Sequence, residues 1–374
     1  MEDKIWAHSG DSHFIEPDGL WAELLPPSLA ARMPRAVQIS DDEEEVHVDG
    51  NSFRRKMPTM FLKKDADGLT IVDYSNRAPG ARDLSARLRD LDDEGIWGEV
   101  VYASLGLWEN MIKSNDLIRV ASRAQNEWRA LEIQGLAPDR LVPAASIPLL
   151  DVHDAVTELV YAAELGLHII NLPTGVPEGV SDWNDDSWEP LWAAAEEAGM
   201  VIGFHIGTET SGVNLFRGPG GAVINYVETT YGGQRAATKM VTSGALDRHP
   251  ELRILISEGG ASWVPFLGDR MNEGYRQHSM FVRPRLSRPP KEILFDQVYT
   301  SFQHDHSAVT AYTGDGYRNV MWGSDYPHIE GTFGHTQKTL HELFDDVDAD
   351  VRKRVTRDSF KELFPHVSDP PAVN

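Results

Sequence analysis

Five apolar runs in this chain of 374 residues end in side chains that bind metals or move protons. Ile5-Trp6-Ala7 leads into His8-Ser9-Gly10-Asp11-Ser12-His13. The run at 200–205 ends in His205, and the run at 252–258 ends in Glu258. The run at 297–302 is followed by Gln303-His304-Asp305-His306. Val320-Met321-Trp322 breaks at Gly323 and then presents Ser324, Asp325, Tyr326, Pro327 and His328. Asp11 and His13 are two apart, so on an extended backbone both point to one side and can grip one cation. Pro327 has no N–H and must end its strand. Two imidazoles and two carboxylates meet the needs of a divalent ion, which takes three or four N/O donors and keeps a position open. Each pair alone reads equally well as surface polarity. Their joint occurrence at strand ends is what carries the metal reading. The chain has no cysteine and 14 histidines, so any metal must rest on imidazole and carboxylate, and a thiol nucleophile is excluded.

Such residues must be positioned by strands, and strand and helix signals alternate. Strands are expected over 5–7, 99–103, 141–147, 167–172, 200–205, 252–258, 297–302 and 319–323. Helices are expected over 83–94, 115–134, 151–164, 187–198, 222–243, 263–275, 335–344 and 350–363. Ser114 or Asn115 is the N-cap candidate of the second. Eight strand–helix units predict an α/β chain folded as a (β/α)8 TIM barrel, one domain over 1–374 with an insertion after strand 1. The insertion covers 30–80, where Val46, Val48 and Asp49-Gly50-Asn51 read as a β-hairpin; it is expected over the barrel mouth. In such barrels the chemistry sits at the C-terminal strand ends. The segment 280–291 is expected as a surface loop, and the tail 365–374 as frayed. His168 is expected mid-strand as a core histidine, and Trp183 and Trp188 as helix packing.

Lys plus Arg number 35 and Asp plus Glu 58, a formal charge of −23. That charge repels nucleic acid and anionic membranes. The start, MEDKIWAHSGDSH, carries no apolar leader, and no run nears the ~18 apolar residues of a spanning helix. The expectation is a soluble cytoplasmic protein acting on a small molecule. Arg54, Arg55 and Arg217 would suit an anionic substrate if they reach the mouth.

The chain resembles the amidohydrolase-related family, the branch of the amidohydrolase superfamily that includes aminocarboxymuconate-semialdehyde decarboxylase and resorcylate decarboxylase. The resemblance spans nearly the whole chain. Asp11-Ser12-His13 with Glu16-Pro17, Asn126-Glu127-Trp128, Ala137-Pro138-Asp139-Arg140-Leu141 and Trp188-Glu189-Pro190-Leu191-Trp192 carry it. So do Phe204-His205-Ile206-Gly207-Thr208, Glu258-Gly259-Gly260-Ala261-Ser262-Trp263 and Trp322-Gly323-Ser324-Asp325-Tyr326-Pro327-His328. It implies a metal-dependent barrel enzyme, often a homodimer, with Asp11, His13, His205 and Asp325 as ligands. The chain departs from the superfamily in its Asp-x-His first pair, where His-x-His is usual. Asn171-Leu172-Pro173 offers no lysine to bridge two metals through a carbamate. Glu258 stands where many relatives have histidine. Glu16, Glu258 and His304 would supply a second metal site; the other reading leaves Glu258 supporting a ligand histidine. One and two ions are weighed equally, with Zn, Mn or Fe all suited.

The main expectation is a divalent-metal hydrolase of an amide, ester or thioester. The ion would lower the pKa of its water from ~15.7 towards ~7. Asp325 would act as general base, and His304 or His328 would protonate the leaving group or steady the oxyanion. The alternative is a nonoxidative decarboxylase of an aromatic or unsaturated acid. There the ion would hold the substrate's carboxylate or adjacent hydroxyl, and Asp325 or an acid near it would protonate the carbon. A non-catalytic metal-binding barrel is the third reading, disfavoured because structure alone needs no converging polar strand ends.

Overall fold

A computed structural model of the chain describes residues 4–17, 19–40, 43–56, 62–64, 70–72, 78–104, 106–208, 216 and 218–371. Eight parallel strands follow one another in chain order: β1 (Ala7–Ser9), β2 (Ile96–Ala103), β3 (Leu141–Ser146), β4 (Ile169–Pro173), β5 (Val201–His205), β6 (Ile254–Ser257), β7 (Val298–Phe302) and β8 (Val320–Trp322). The ring closes where the N–H of Gly10 donates to Trp322 O at 2.9 Å and a parallel bridge joins Ser12 to Tyr326. The expected (β/α)8 barrel is therefore present, with helices outside.

Alternation along each strand sorts the core into two layers. Val100, Tyr102, Val142, Ala144, Ile169, Val201, Leu255, Tyr299 and Met321 fill the interior. Their neighbours Val101, Ile170, Ile202, Ile254, Val298, Phe302 and Trp322 face the helices. Gly203 makes room for the ring of Tyr102, because a Cβ there would lie 2.7 Å from its hydroxyl. That hydroxyl meets Ser257 Oγ at 2.7 Å beneath the mouth.

Over 365–371 the tail is not frayed as expected; 372–374 lie outside the described residues. Phe360, Leu363, Phe364 and Val367 join the interior cluster and plug the N-terminal end of the barrel. Ser368 then accepts from Trp97 Nε1 at 2.9 Å and donates its N–H to Asp139 O at 2.8 Å. His168 also differs from expectation. It precedes β4, half-buried, with its ring stacked on His366 of the tail at 3.7 Å. Trp183 and Trp188 pack on one another as helix-layer core, at 4.9 Å.

The helix expected over 115–134 is regular only over Asn115–Trp128, with Ser114 Oγ as its cap, and ends in a π-turn over Arg129–Ile133. Within the insertion, Arg35–Gln38, Glu43–Val48 and Asn51–Lys56 form an antiparallel sheet. Asp49 and Gly50 turn at φ 46° and 82°, the left-handed pair a two-residue hairpin needs. Val46 and Val48 bury against Ile112, Leu117 and Ile118, beside the end of β2. No helix among the described residues is long and apolar enough to cross a membrane.

Candidate metal centre

The strand ends deliver five side chains to one cluster at the C-terminal mouth. On β5 the inward parity of Val201 and Gly203 continues to His205, so its ring enters the barrel. The chain bends at Gly10, whose lack of a side chain admits Met321 and Ser301, and this turns Asp11 inward. His13 follows on the same side. Asp325 and Glu258 both reach the cluster through left-handed backbone, at φ 52° and 61°. Non-glycine residues hold that conformation only where their surroundings over-determine it, at a cost of about 1–3 kcal/mol. For Glu258 the turn matters most. Ile254 and Ile256 face the helices, so an undistorted β6 would carry Glu258 outward as well.

His13 Nε2 lies 3.0 Å from His205 Nε2, 3.5 Å from Asp325 Oδ1 and 3.8 Å from Asp11 Oδ1. His205 Nε2 lies 3.4 Å from Asp11 Oδ1. The opposite nitrogens are held by backbone: His13 Nδ1 donates to Ala103 O at 3.0 Å and His205 Nδ1 to Ile206 O at 2.8 Å. That fixes both rings with a lone pair on Nε2 facing the cluster. Asp11, His13 and Asp325 are completely buried, and no oxygen of either carboxylate has an aligned hydrogen-bond donor among the described residues. Four orphaned anionic oxygens opposite two imidazole lone pairs would be costly as they stand. A divalent cation is the group that satisfies them together, so the donor set fits a metal. Asp11, His13 and His205 form one possible ligand set, and Asp11, Glu258 and Asp325 another that shares Asp11.

The electrostatics agree. Burial pushes the Glu258 and Asp325 carboxyls well up, and each is raised further by neighbouring carboxylates. Burial, with His328 and His205 adjacent, pushes His13 well below its ordinary value, towards neutral imidazole. Burial also disfavours the charged form of His205, but Asp11 and Glu258 outweigh it and leave that ring raised. His328 closes the outer side. Its ring stacks on His13 at 4.0 Å and its Nδ1 sits 2.9 Å from Asp325 Oδ1.

Two expected ligands stand elsewhere. Glu16 is buried, but its Oε1 accepts the N–H of Gly106 at 3.0 Å and its charge faces Glu109 and Arg129. His304 is exposed, with Nε2 3.1 Å from Glu330 O and its ring stacked on His335 at 5.7 Å. The second site expected from Glu16, Glu258 and His304 therefore does not assemble among the described residues. Gln303, not His304, turns in towards Asp325. Arg54 is exposed and lies 3.6 Å from Glu45; the Arg55 side chain and Arg217 fall outside the described residues. Tyr226 and Glu330 were not singled out from sequence. Tyr226 is half exposed, and its phenol is pushed up by partial desolvation and by the carboxylates of Glu258 and Glu330. Neither residue ends a strand, so no pattern in the sequence points to them.

The model of the amidohydrolase family matches residues 111–364. Decarboxylase yanB of Aspergillus niger is 25% identical over 259 residues, which cover 64% of this chain and 67% of that one. An amidohydrolase of Mycobacterium avium subsp. paratuberculosis superposes with a TM-score of 0.77 at 19% identity, covering 97% of this chain and 98% of its own. A 5-carboxyvanillate decarboxylase of Novosphingobium aromaticivorans, crystallised with manganese and 3-methoxy-4-hydroxy-5-nitrobenzoic acid, superposes with a TM-score of 0.69 at 15% identity, covering 97% and 98%. At such identities the structural likeness speaks for the fold.

Proposed function

Because the chain belongs to the amidohydrolase family, we propose that it is a metal-dependent nonoxidative decarboxylase of an aromatic or unsaturated carboxylic acid. The observation that carries this over hydrolysis is the position of His304. The hydrolase expectation drew extra ligating or acidic groups from the end of β7, with His304 or His328 as the acid, and His304 is turned out to solvent. The relative that aligns with 64% of the chain is named a decarboxylase, which supports the same reading.

Asp11, His13, His205 and Asp325 would hold the ion, with Glu258 adjacent. A bound divalent ion supplies positive charge that draws in an acid substrate and steadies negative charge building on it. Everything else falls to the protein. The Glu258 carboxyl, raised by burial and by neighbouring carboxylates and not needed to hold the ion, is the group able to keep a proton in this mouth. As the bond from carbon to carboxylate breaks and carbon dioxide leaves, its electron pair stays on the carbon. Glu258 gives its proton to that carbon, and a proton from water restores the acid. His328 Nδ1, 2.9 Å from Asp325 Oδ1 and partly exposed, is the contact between that carboxyl and solvent. Barrel-wall residues exclude bulk water beneath.

The test is to load the protein with manganese and offer two panels: hydroxybenzoates and unsaturated acids, followed by carbon dioxide release, and esters, thioesters and amides, followed by acid release. Carbon dioxide release that chelator abolishes is expected. Acyl hydrolysis without any carbon dioxide would return the hydrolase reading.

A further inference from the structure

Against the backbone of Ser12 and His13, just past β1, lies a buried guanidinium. The helix Leu84–Glu94 carries Arg87, and both Arg87 and Glu99 are fully buried. Nε of Arg87 donates to Glu99 Oε1 at 2.5 Å. Nη2 donates to Ser12 Oγ at 2.9 Å, and Nη1 to His13 O at 2.8 Å and Gly80 O at 3.3 Å. Ser12 Oγ passes its own proton to Val100 O at 2.6 Å. The guanidinium also lies 4.9 Å over the ring of Tyr326, the residue after Asp325. One rigid fork thus touches the segment bearing Asp11 and His13 at two points and the turn bearing Asp325 at a third. The chain makes room for it: a Cβ at Gly80 would fall 2.3 Å from Arg87 Cα.

A buried ion pair is a poor source of stability, since apolar residues of the same size do as well or better. What it supplies is geometry, because a planar fork with five fixed donors dictates where its acceptors stand. We propose that Arg87 is a positioning residue of the metal centre, fixing Ser12 and the His13 carbonyl so that Asp11 and His13 present their ligand atoms at one point. This rests on the reading that Asp11 and His13 hold a metal.

The test titrates metal-free protein with manganese, following the electron paramagnetic resonance of free and bound ion, with circular dichroism and melting as controls of the fold. Wild type should bind. If it does not, the metal reading itself fails. Arg87→Lys keeps the charge beside Glu99 but loses the fork. With an unchanged circular dichroism spectrum, its Kd for manganese should rise about 10–100-fold, the usual effect of losing a group that orients a ligand, and the bound-ion spectrum should change. A Kd within about twofold of wild type overturns the inference while leaving the metal reading intact. Should Arg87→Lys not fold, Ser12→Ala decides, since it removes one acceptor and leaves Arg87 in place. A several-fold rise in Kd supports the inference, and an unchanged Kd overturns it.

Discussion

Substituting Asp325→Asn should stabilise the metal-free protein while abolishing its response to metal. Ligand atoms of Asp11, Glu258 and Asp325 all lie within 4.8 Å of one another. Two ionised carboxylates at that distance repel by about 3 kcal/mol at an effective dielectric constant of ~20. The amide removes that repulsion and keeps the shape. Unfolding entropy of ~2.1 cal/mol/K per residue gives roughly 0.8 kcal/mol/K for a chain of this length, so the melting temperature should rise by up to ~4 °C in chelator. Wild type at a manganese concentration of 100 times Kd should gain ~2.7 kcal/mol, and the variant almost none. The pH dependence has a definite sign. A carboxyl raised in the fold contributes fully below its unfolded value of ~3.9 and loses that contribution as pH rises through the folded value. Metal-free wild type should therefore melt lower as pH climbs from ~4 towards neutrality, and Asp325→Asn should flatten that slope. Differential scanning calorimetry with chelator and with manganese reads all three effects. A metal-free variant that melts below wild type, or one that keeps the manganese response, refutes the reasoning.

Three further outcomes are expected. His304→Ala should leave the manganese Kd within about threefold of wild type, because the ring is exposed and apart from the ligands; a loss of 10-fold or more would restore it to the site. Gly203→Ala should cost about 1–3 kcal/mol in urea unfolding, since the new methyl meets Tyr102 Oη at 2.7 Å and Ile170 O at 3.1 Å; an unchanged midpoint would mean the barrel interior yields freely. Truncation after Phe364 should lower stability by roughly 2 kcal/mol through exposure of the interior beneath Val367, and equal melting curves would show the plug to be dispensable.

The barrel was legible because its strands are short apolar runs closed by glycine or by polar residues. The cluster was legible in part for the same reason: His205 closes one such run, and Asp325 follows another just past Gly323. The failures have local causes. On β7, Tyr299 faces the interior, so parity carries Gln303 inward and His304 outward. Nothing in Phe302-Gln303-His304 by itself reveals that phase. Glu258 escapes its parity through a left-handed backbone that no residue type announces. Glu16 looks like a ligand three residues past His13, yet its oxygen accepts a backbone N–H at 3.0 Å near Arg129. Arg87 sits on an ordinary amphipathic helix, where a lone arginine reads as surface. The tail gave no periodic signal, because its burial comes from Phe364 and Val367 meeting the barrel end rather than from a helix face.

The seam between β1 and β8 has a consequence for how the protein is made. Asp325 donates its N–H to Asp11 O at 3.0 Å, and Ser9 meets Ser324 at 3.1 Å although the two are 315 residues apart. The stretches that fasten the ring also carry Asp11 and Asp325, two of the proposed ligands. During synthesis Asp11 and His13 wait for the far strand, 315 residues on from Ser9 at Ser324, before Asp325 can join them. A metal ion therefore finds the full set of proposed ligands only once the two ends have met. Having arrived, it acts as a clasp across a very long loop, where a cross-link removes the most freedom from the open chain. Scarcity of metal in the growing cell should then appear less as failed folding than as a store of finished barrels whose seam is held by hydrogen bonds alone.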